Sequence, residues 1–235
     1  MKTLNFSQFE LISFDCYGTL INWEEGIFDS LTPLFHRYGK SIGDAKILEL
    51  YGDFEAQFEQ GDYRPYRQVH QAVTESFARY LDFAPTASEL SSLADSICQW
   101  PVFPDTQDAL RKLKTRYKLA IISNIDDDLF DQTKPKLGVE FDYVITAQQA
   151  KAYKPSLTIF KLAAQKFGIA PSKWLHVGQS IYHDVLPAQS MGCSSVWINR
   201  ISPRTNLGAV KAAAGTPDLE LNDLHSLAKL ALDDR

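Results

Sequence analysis

Five short apolar runs, at residues 11–14, 118–123, 142–145, 174–177 and 195–198, constrain this chain more than any other feature. Each is too short for a buried helix and is bounded by polar or glycine-containing segments, so each reads as a buried strand. Segments of helical periodicity separate the last four, and 218–221 adds a sixth, shorter run before a C-terminal helix. This alternation predicts a doubly wound α/β fold: a mostly parallel sheet with helices on both faces. In such sheets ligands bind at the carboxyl ends of the strands.

The stretch between the first two runs is different. Phe28, Leu31, Leu34 and Phe35 recur at helical spacing, as do Ile47, Leu48, Tyr51, Phe54 and Phe58, then Val69, Val73, Phe77 and Tyr80, then Leu90, Leu93 and Ile97. No strand pattern interrupts them, which predicts about four helices inserted after the first strand. Pro101 and Pro104 break the pattern and mark the return to the core. The expected organisation is therefore an α/β core of residues 1–20 and 101–235 around a helical insertion of residues 21–100. A chain of 235 residues with 45% hydrophobic side chains suffices for one core plus an insertion and excludes a disordered polymer.

The net charge is −5 and no run of lysine and arginine stands out, which argues against a nucleic-acid partner. Cys16, Cys98 and Cys193 form neither a metal-like spacing nor an even-numbered disulfide framework. No apolar stretch has the length of a membrane span. These features predict a cytoplasmic protein with no membrane partner.

Polar residues able to do chemistry follow the strand-like runs. Asp15 follows the first, Ser123 and Asn124 close the second, Lys154 lies between the third and fourth, and Ser180 and Asp184 follow the fourth. Any one of them alone suits a helix cap or a solvated surface. A parallel sheet would bring all of them to one edge.

The segments Asp15-Cys16-Tyr17-Gly18-Thr19-Leu20, Ser123-Asn124, Lys154-Pro155 and Gly178-Gln179-Ser180 with Asp184 resemble the motifs of the haloacid dehalogenase-like hydrolase superfamily. The resemblance covers essentially the whole chain. It implies a Rossmann-like core, a helical cap domain at 21–100 and an aspartate nucleophile at Asp15. Most members are phosphatases, with a second aspartate where this chain has Tyr17 and Gly-Asp where it has Gly178-Gln179. Both departures remove a carboxylate, and a hard divalent cation wants several anionic oxygens. A departing halide, by contrast, needs no proton. The chain thus resembles the (S)-2-haloacid dehalogenase branch, which has tyrosine at the position of Tyr17 and uses no metal. This implies no cofactor, with magnesium expected only under a phosphatase reading.

In that resemblance Asp15 attacks the carbon bearing the halogen, and water then hydrolyses the ester. Lys154 would keep Asp15 ionised and oriented, and Asp184 would act as base or position the water. Thr19, Ser123, Asn124 and Ser180 would donate or relay hydrogen bonds to the carboxylates and to substrate. Tyr17 either turns its hydroxyl towards substrate or packs in the core. The expected substrate is a small molecule carrying a carboxylate. Dehalogenases place a cap arginine near the halide; residues 48–54 hold none, and Arg64 and Arg67 are the nearest later candidates.

Residues 14–24 and 180–188 also resemble a dehalogenase-related subgroup that opens the strained ring of azetidine-2-carboxylate. There, Trp23 and Tyr66 would cover a cationic substrate, and His183 would donate a proton. Hydrolytic dehalogenation of a small 2-halo acid is thus the leading reading. Ring opening, a magnesium-dependent phosphatase and a non-catalytic binding protein are its alternatives, and pairing of cap helices into a homodimer is a further expectation from the resemblance.

Overall fold

The computed structural model of the chain describes residues 4–202 and 213–233. Its first strand, β1 (Leu11–Phe14), is buried on both faces, as its unbroken apolar sequence requires of a strand inside a parallel sheet. The other strands are β2 (Lys118–Ser123), β3 (Tyr143–Thr146), β4 (Trp174–Gly178), β5 (Ser194–Ile198) and β6 (Leu219–Leu221). They form one parallel sheet of order β3-β2-β1-β4-β5-β6. All six expected strands are present, with ends displaced by at most one residue.

Between β1 and β2 lie α1 (Trp23–Arg37), α2 (Asp44–Phe58), α3 (Tyr66–Leu81) and α4 (Ala87–Ser96). These are the four inserted helices that the periodicity predicts. In the core, α5 (Thr106–Lys114) precedes β2, and α6 (Asp127–Thr133) lies between β2 and β3. Two helices, α7 (Ala147–Ala150) and α8 (Leu157–Phe167), follow β3, α9 (Leu186–Ser190) follows β4 and α10 (Leu224–Asp233) follows β6.

Period-two alternation divides the strand side chains between two apolar layers. Ile12, Phe14, Leu119 and Ile121 join Leu110 and Leu113 of α5 and Leu227 of α10. Leu11, Ala120, Ile122 and Ile145 pack instead on Ile159, Phe160, Ala163 and Phe167 of α8. The sheet is therefore wound on both sides. From β1 the connections run outward through β2 to β3 on one flank, and through β4 to β6 on the other. The strand order thus reverses at the β1/β4 boundary, where doubly wound sheets open a crevice.

The inserted helices are tied to the core at two places. At their base, Ile21 forms an antiparallel bridge with Val102, Asn22 N–H donates to the Pro101 carbonyl at 2.8 Å, and Phe103 N–H donates to the Leu20 carbonyl at 3.1 Å. This pair of strand-like segments is where the chain leaves and re-enters the core, the return that the two prolines mark. At the far side, Asp126 caps the start of α3: it accepts from Tyr66 N–H at 3.0 Å, Arg67 N–H at 3.1 Å and the Tyr63 hydroxyl at 3.0 Å.

Gly26 in α1 lets the buried Trp100 ring lie directly on the helix backbone. A Cβ at that position would stand 2.1 Å from Trp100 Cγ. Gly26→Ala is therefore expected to lower stability by about 1–3 kcal/mol, overpacking outweighing the better helix propensity of alanine. Urea unfolding of the two proteins checks this. An unchanged or higher midpoint would show that the ring gives way without cost.

Candidate active site

The carboxyl ends of β1, β2 and β4 meet under the inserted helices, and the loop after β3 supplies a lysine to the same point. Asp15 follows β1 directly, its N–H held by the Val177 carbonyl of the neighbouring strand at 2.9 Å. Lys154 Nζ donates to Asp15 Oδ1 at 2.8 Å, to Asp184 Oδ1 at 2.7 Å and to the Ile122 carbonyl at 3.0 Å. All three ammonium protons are therefore used, and the Lys154 side chain is only 2% exposed. Thr19 Oγ1 donates to the second oxygen of Asp15 at 2.8 Å and accepts the Gln179 N–H at 2.9 Å, which joins the β1 and β4 loops.

The two carboxylates are held differently. Asp184 accepts from Lys154, from Ser180 N–H at 3.2 Å and faces His176 Nε2 at 3.3 Å. Burial opposes its charge, but Lys154 and His176 prevail and keep it well below the usual carboxylate range. Asp15 has fewer donors; burial raises its carboxyl, against the opposing pull of Lys154, and the charge of Asp184 adds to the rise. Asp184 is thus the more acidic of the two carboxyls and Asp15 the more basic. Lys154, despite burial, is raised by the same two carboxylates.

Asp15, Lys154, Asp184, Ser123, Asn124, Ser180, Tyr17 and Trp23 all line one cavity of about 60 Å³. Thr19 adjoins it through Asp15. Within this group several expectations become specific. The hydroxyl of Tyr17 turns to Thr133 Oγ1 at 2.9 Å and its ring stands edge-on to Trp100, so it is the core-packed alternative for Tyr17 that the structure adopts. The Asn124 side chain accepts from Lys154 N–H at 2.7 Å and donates to the Lys154 carbonyl at 3.2 Å, clamping the lysine loop. Ser180 Oγ accepts His183 N–H at 3.0 Å and lies 3.1 Å from His183 Nδ1. Ser123 Oγ and Trp23 Nε1 are buried and have no hydrogen-bond partner among the described residues.

Arg67 is not brought to the cavity. Its guanidinium pairs with Asp95 and Asp128, each at 2.8 Å, on the surface. The nearby carboxylates on α4 and α6 capture it, and they lie too far along the chain to be read as its partners from sequence. Arg64 is likewise outside the lining, with its guanidinium over the Phe58 ring.

The haloacid dehalogenase-like hydrolase family model matches residues 9–192. The chain is a haloacid dehalogenase-like hydrolase. Similar proteins include the (S)-2-haloacid dehalogenase of Pseudomonas sp. (strain YL), 28% identical over 224 residues and covering 93% of each chain. The (S)-2-haloacid dehalogenase H-109 of Pseudomonas putida is 26% identical over 233 residues, 95% of this chain and 98% of that one. Among solved structures, L-2-haloacid dehalogenase from Xanthobacter autotrophicus superposes with a TM-score of 0.81 over 95% of this chain and 98% of that one, at 21% identity, a likeness of fold.

Three features of this hydrolase were not singled out from its sequence. His176 lies beneath Asp184, with its Nδ1 2.7 Å from Ser13 Oγ, which in turn accepts from Trp174 Nε1. A histidine inside an otherwise apolar strand was the available signal. Glu55 of α2 and Glu59, which caps its C-terminus, line the same cavity as Asp15 and Asp184. They stand four residues apart, at 51, 55 and 59 in register with the buried Tyr51, an interruption of an apolar stripe.

Glu55 Oε1 accepts from the Tyr51 hydroxyl at 2.9 Å and the Tyr66 hydroxyl at 2.5 Å. Burial nevertheless raises its carboxyl to about 6. A carboxyl raised on folding binds more protons in the folded state, so its presence costs stability as pH rises from 4.5 through about 6. Glu55→Gln should therefore gain on the wild type across that window, by on the order of 1–2 kcal/mol above it. Chemical unfolding of both proteins at several pH values measures the difference. A gap that is constant with pH would contradict the raised carboxyl.

Proposed function

We propose that this hydrolase displaces halide from a small 2-halo carboxylic acid, with Asp15 as nucleophile and the helices of 21–100 as the cap that closes the site. The observation that carries the reading is the Asp15 carboxylate itself: it lines the cavity, oriented by Lys154 and Thr19, and is the more basic of the two catalytic aspartates. The dehalogenase relatives support halide as the leaving group.

In the first step an Asp15 oxygen attacks C2 of the substrate from the side opposite the halogen. The carbon–oxygen bond forms, the carbon–halogen bond breaks, and the electron pair leaves with halide. In the second, water adds to the Asp15 carbonyl carbon and expels the 2-hydroxy acid, releasing one proton and restoring the carboxylate. Lys154 stays charged throughout and stabilises the oxyanion that forms on Asp15. Asp184, engaged by three donors and of low basicity, is best suited to holding Lys154 and the Ser180 backbone in place. The unpartnered Ser123 hydroxyl and Trp23 indole N–H are donors available to the substrate carboxylate and the halide.

The donor set does not fit a magnesium ion. Gln179 stands where a ligand carboxylate would be needed, and Asp15 and Asp184 both turn an oxygen to Lys154, which fills the space between them. The reaction is accordingly written without a metal, and the protein is expected to need no cofactor.

Chloride release from 2-chloropropionate should proceed in the presence of EDTA and yield the hydroxy acid of inverted configuration. Asp15→Asn should abolish it, by at least about 10³-fold, with the fold retained. Chloride electrode measurements and chiral product analysis test both statements. No release from any of several 2-halo acids, or turnover that EDTA stops, would defeat the proposal.

A further inference from the structure

Beneath the site lie three buried polar side chains that never meet substrate in the reaction as written. Ser13 of β1 and His176 of β4 are register partners in the parallel sheet, and Trp174 stands two residues before His176 on the same strand face. Trp174 and His176 both lie against Phe160 of α8. None of the three is more than 1% exposed. Gly178, two residues beyond His176, leaves the end of that face open: a Cβ there would stand 2.4 Å from Asp184 Cγ. The Asp184 carboxylate takes that space and comes within 3.3 Å of His176 Nε2.

The direction of every hydrogen bond in this chain of groups is fixed at its far end. An indole N–H can only donate, so Trp174 Nε1, 2.6 Å from Ser13 Oγ, makes that oxygen an acceptor. The hydroxyl's own proton has one acceptor among the described residues, His176 Nδ1 at 2.7 Å. An accepting Nδ1 carries no proton, so the ring proton is on Nε2 and points at Asp184. Asp184 pulls the other way, since a carboxylate neighbour favours the doubly protonated ring. Lys154 and Asp15 lie one and two contacts beyond it, and α8 presents the uncharged Phe160 ring. Double protonation would turn Nδ1 into a donor and leave the Ser13 proton buried without an acceptor, which disfavours it.

We infer that Trp174, Ser13 and His176 form a positioning relay that holds the His176 imidazole neutral, with its proton on Nε2 donated to Asp184. Its consequence for catalysis rests on the reading of Asp15 as nucleophile; the position of the proton does not. With a neutral ring, Asp15, Asp184 and Lys154 carry one net negative charge between them. A charged ring would cancel that excess and weaken Asp15 as a nucleophile. The relay thus sets the charge of the site from inside the sheet, without touching substrate.

¹⁵N NMR of the intact chain labelled at histidine, with His176 assigned by its loss in His176→Gln, reads the proton positions directly. At about pH 6, below the ordinary histidine value of about 6.5, the unmodified protein should show one protonated His176 nitrogen, Nε2. Trp174→Phe keeps an aromatic ring in the layer but frees the Ser13 oxygen to accept, so its His176 should carry both protons there. Circular dichroism confirms the fold. Its kcat/KM for chloride release from 2-chloropropionate should fall by about tenfold at about pH 6 and recover at about pH 8.5. A packing defect would instead lower activity equally at both. The His176→Gln carboxamide donates and accepts but takes no proton, and should keep kcat/KM within about threefold; His176→Leu should lose about tenfold or more. A doubly protonated ring or a proton on Nδ1 in the unmodified protein overturns the relay, as does a Trp174→Phe ring that stays singly protonated. Equal losses in His176→Gln and His176→Leu also overturn it. A single proton on Nε2, gaining a second in Trp174→Phe, with no chloride release from any 2-halo acid would keep the relay and remove the halide reaction.

Discussion

The ammonium of Lys154, buried between Asp15 and Asp184, is the interaction on which the rest of the site depends. Three chain segments distant in sequence meet at this one group: the end of β1, the loop after β3 and the turn after β4. A buried lysine with no anion would be strongly disfavoured, as would either aspartate without the lysine. The geometry is tolerable because every proton on Nζ has an acceptor, the Ile122 carbonyl taking the third. His176 and the Ser180 N–H then add the donors that keep Asp184 charged, leaving Asp15 as the carboxylate with basicity to spare. The asymmetry between two otherwise equal aspartates is what the proposed division into nucleophile and anchor rests on.

The fold positions this ion cluster by ordinary means. Parallel pairing of β1 with β2 and β4 puts their carboxyl ends side by side, and reversal of strand order between β1 and β4 opens the space above them. The inserted helices close that space from a base fixed at Ile21 and Val102, with Asp126 fastening α3 to the loop after β2. The cavity is lined by Lys154 and the unpartnered Ser123 hydroxyl from the core, and by Trp23, Glu55 and Glu59 from the inserted segment.

Much of this was legible in the sequence, because the relevant signals are local. Short apolar runs between helical periods report the parallel sheet, and strand-end polar residues report its functional edge; Asp15, Ser123, Lys154, Ser180 and Asp184 do converge there. What escaped depends on side-chain direction or on distant partners. The Tyr17 hydroxyl goes to Thr133 while its ring stands edge-on to Trp100, and neither contact is near in sequence. Arg67 is taken up by Asp95 and Asp128, which lie 28 and 61 residues further along. Glu55 and Glu59 line the cavity only through the packing of the α2 end over the sheet edge, which no local pattern reports. His176 is a buried imidazole serving a buried carboxylate eight residues on, a pairing that the strand pattern alone does not report.

The central claim is that Asp15 becomes covalently bonded to substrate and is regenerated by water attacking its own carboxyl carbon. Single-turnover reaction of excess enzyme with 2-chloropropionate in ¹⁸O-labelled water tests it by mass spectrometry of the peptide carrying Asp15. The account predicts one ¹⁸O in the Asp15 carboxylate and unlabelled oxygen in the first-turnover hydroxy acid. Label found in the product while Asp15 stays unlabelled would mean that water attacks the substrate directly, and would contradict it.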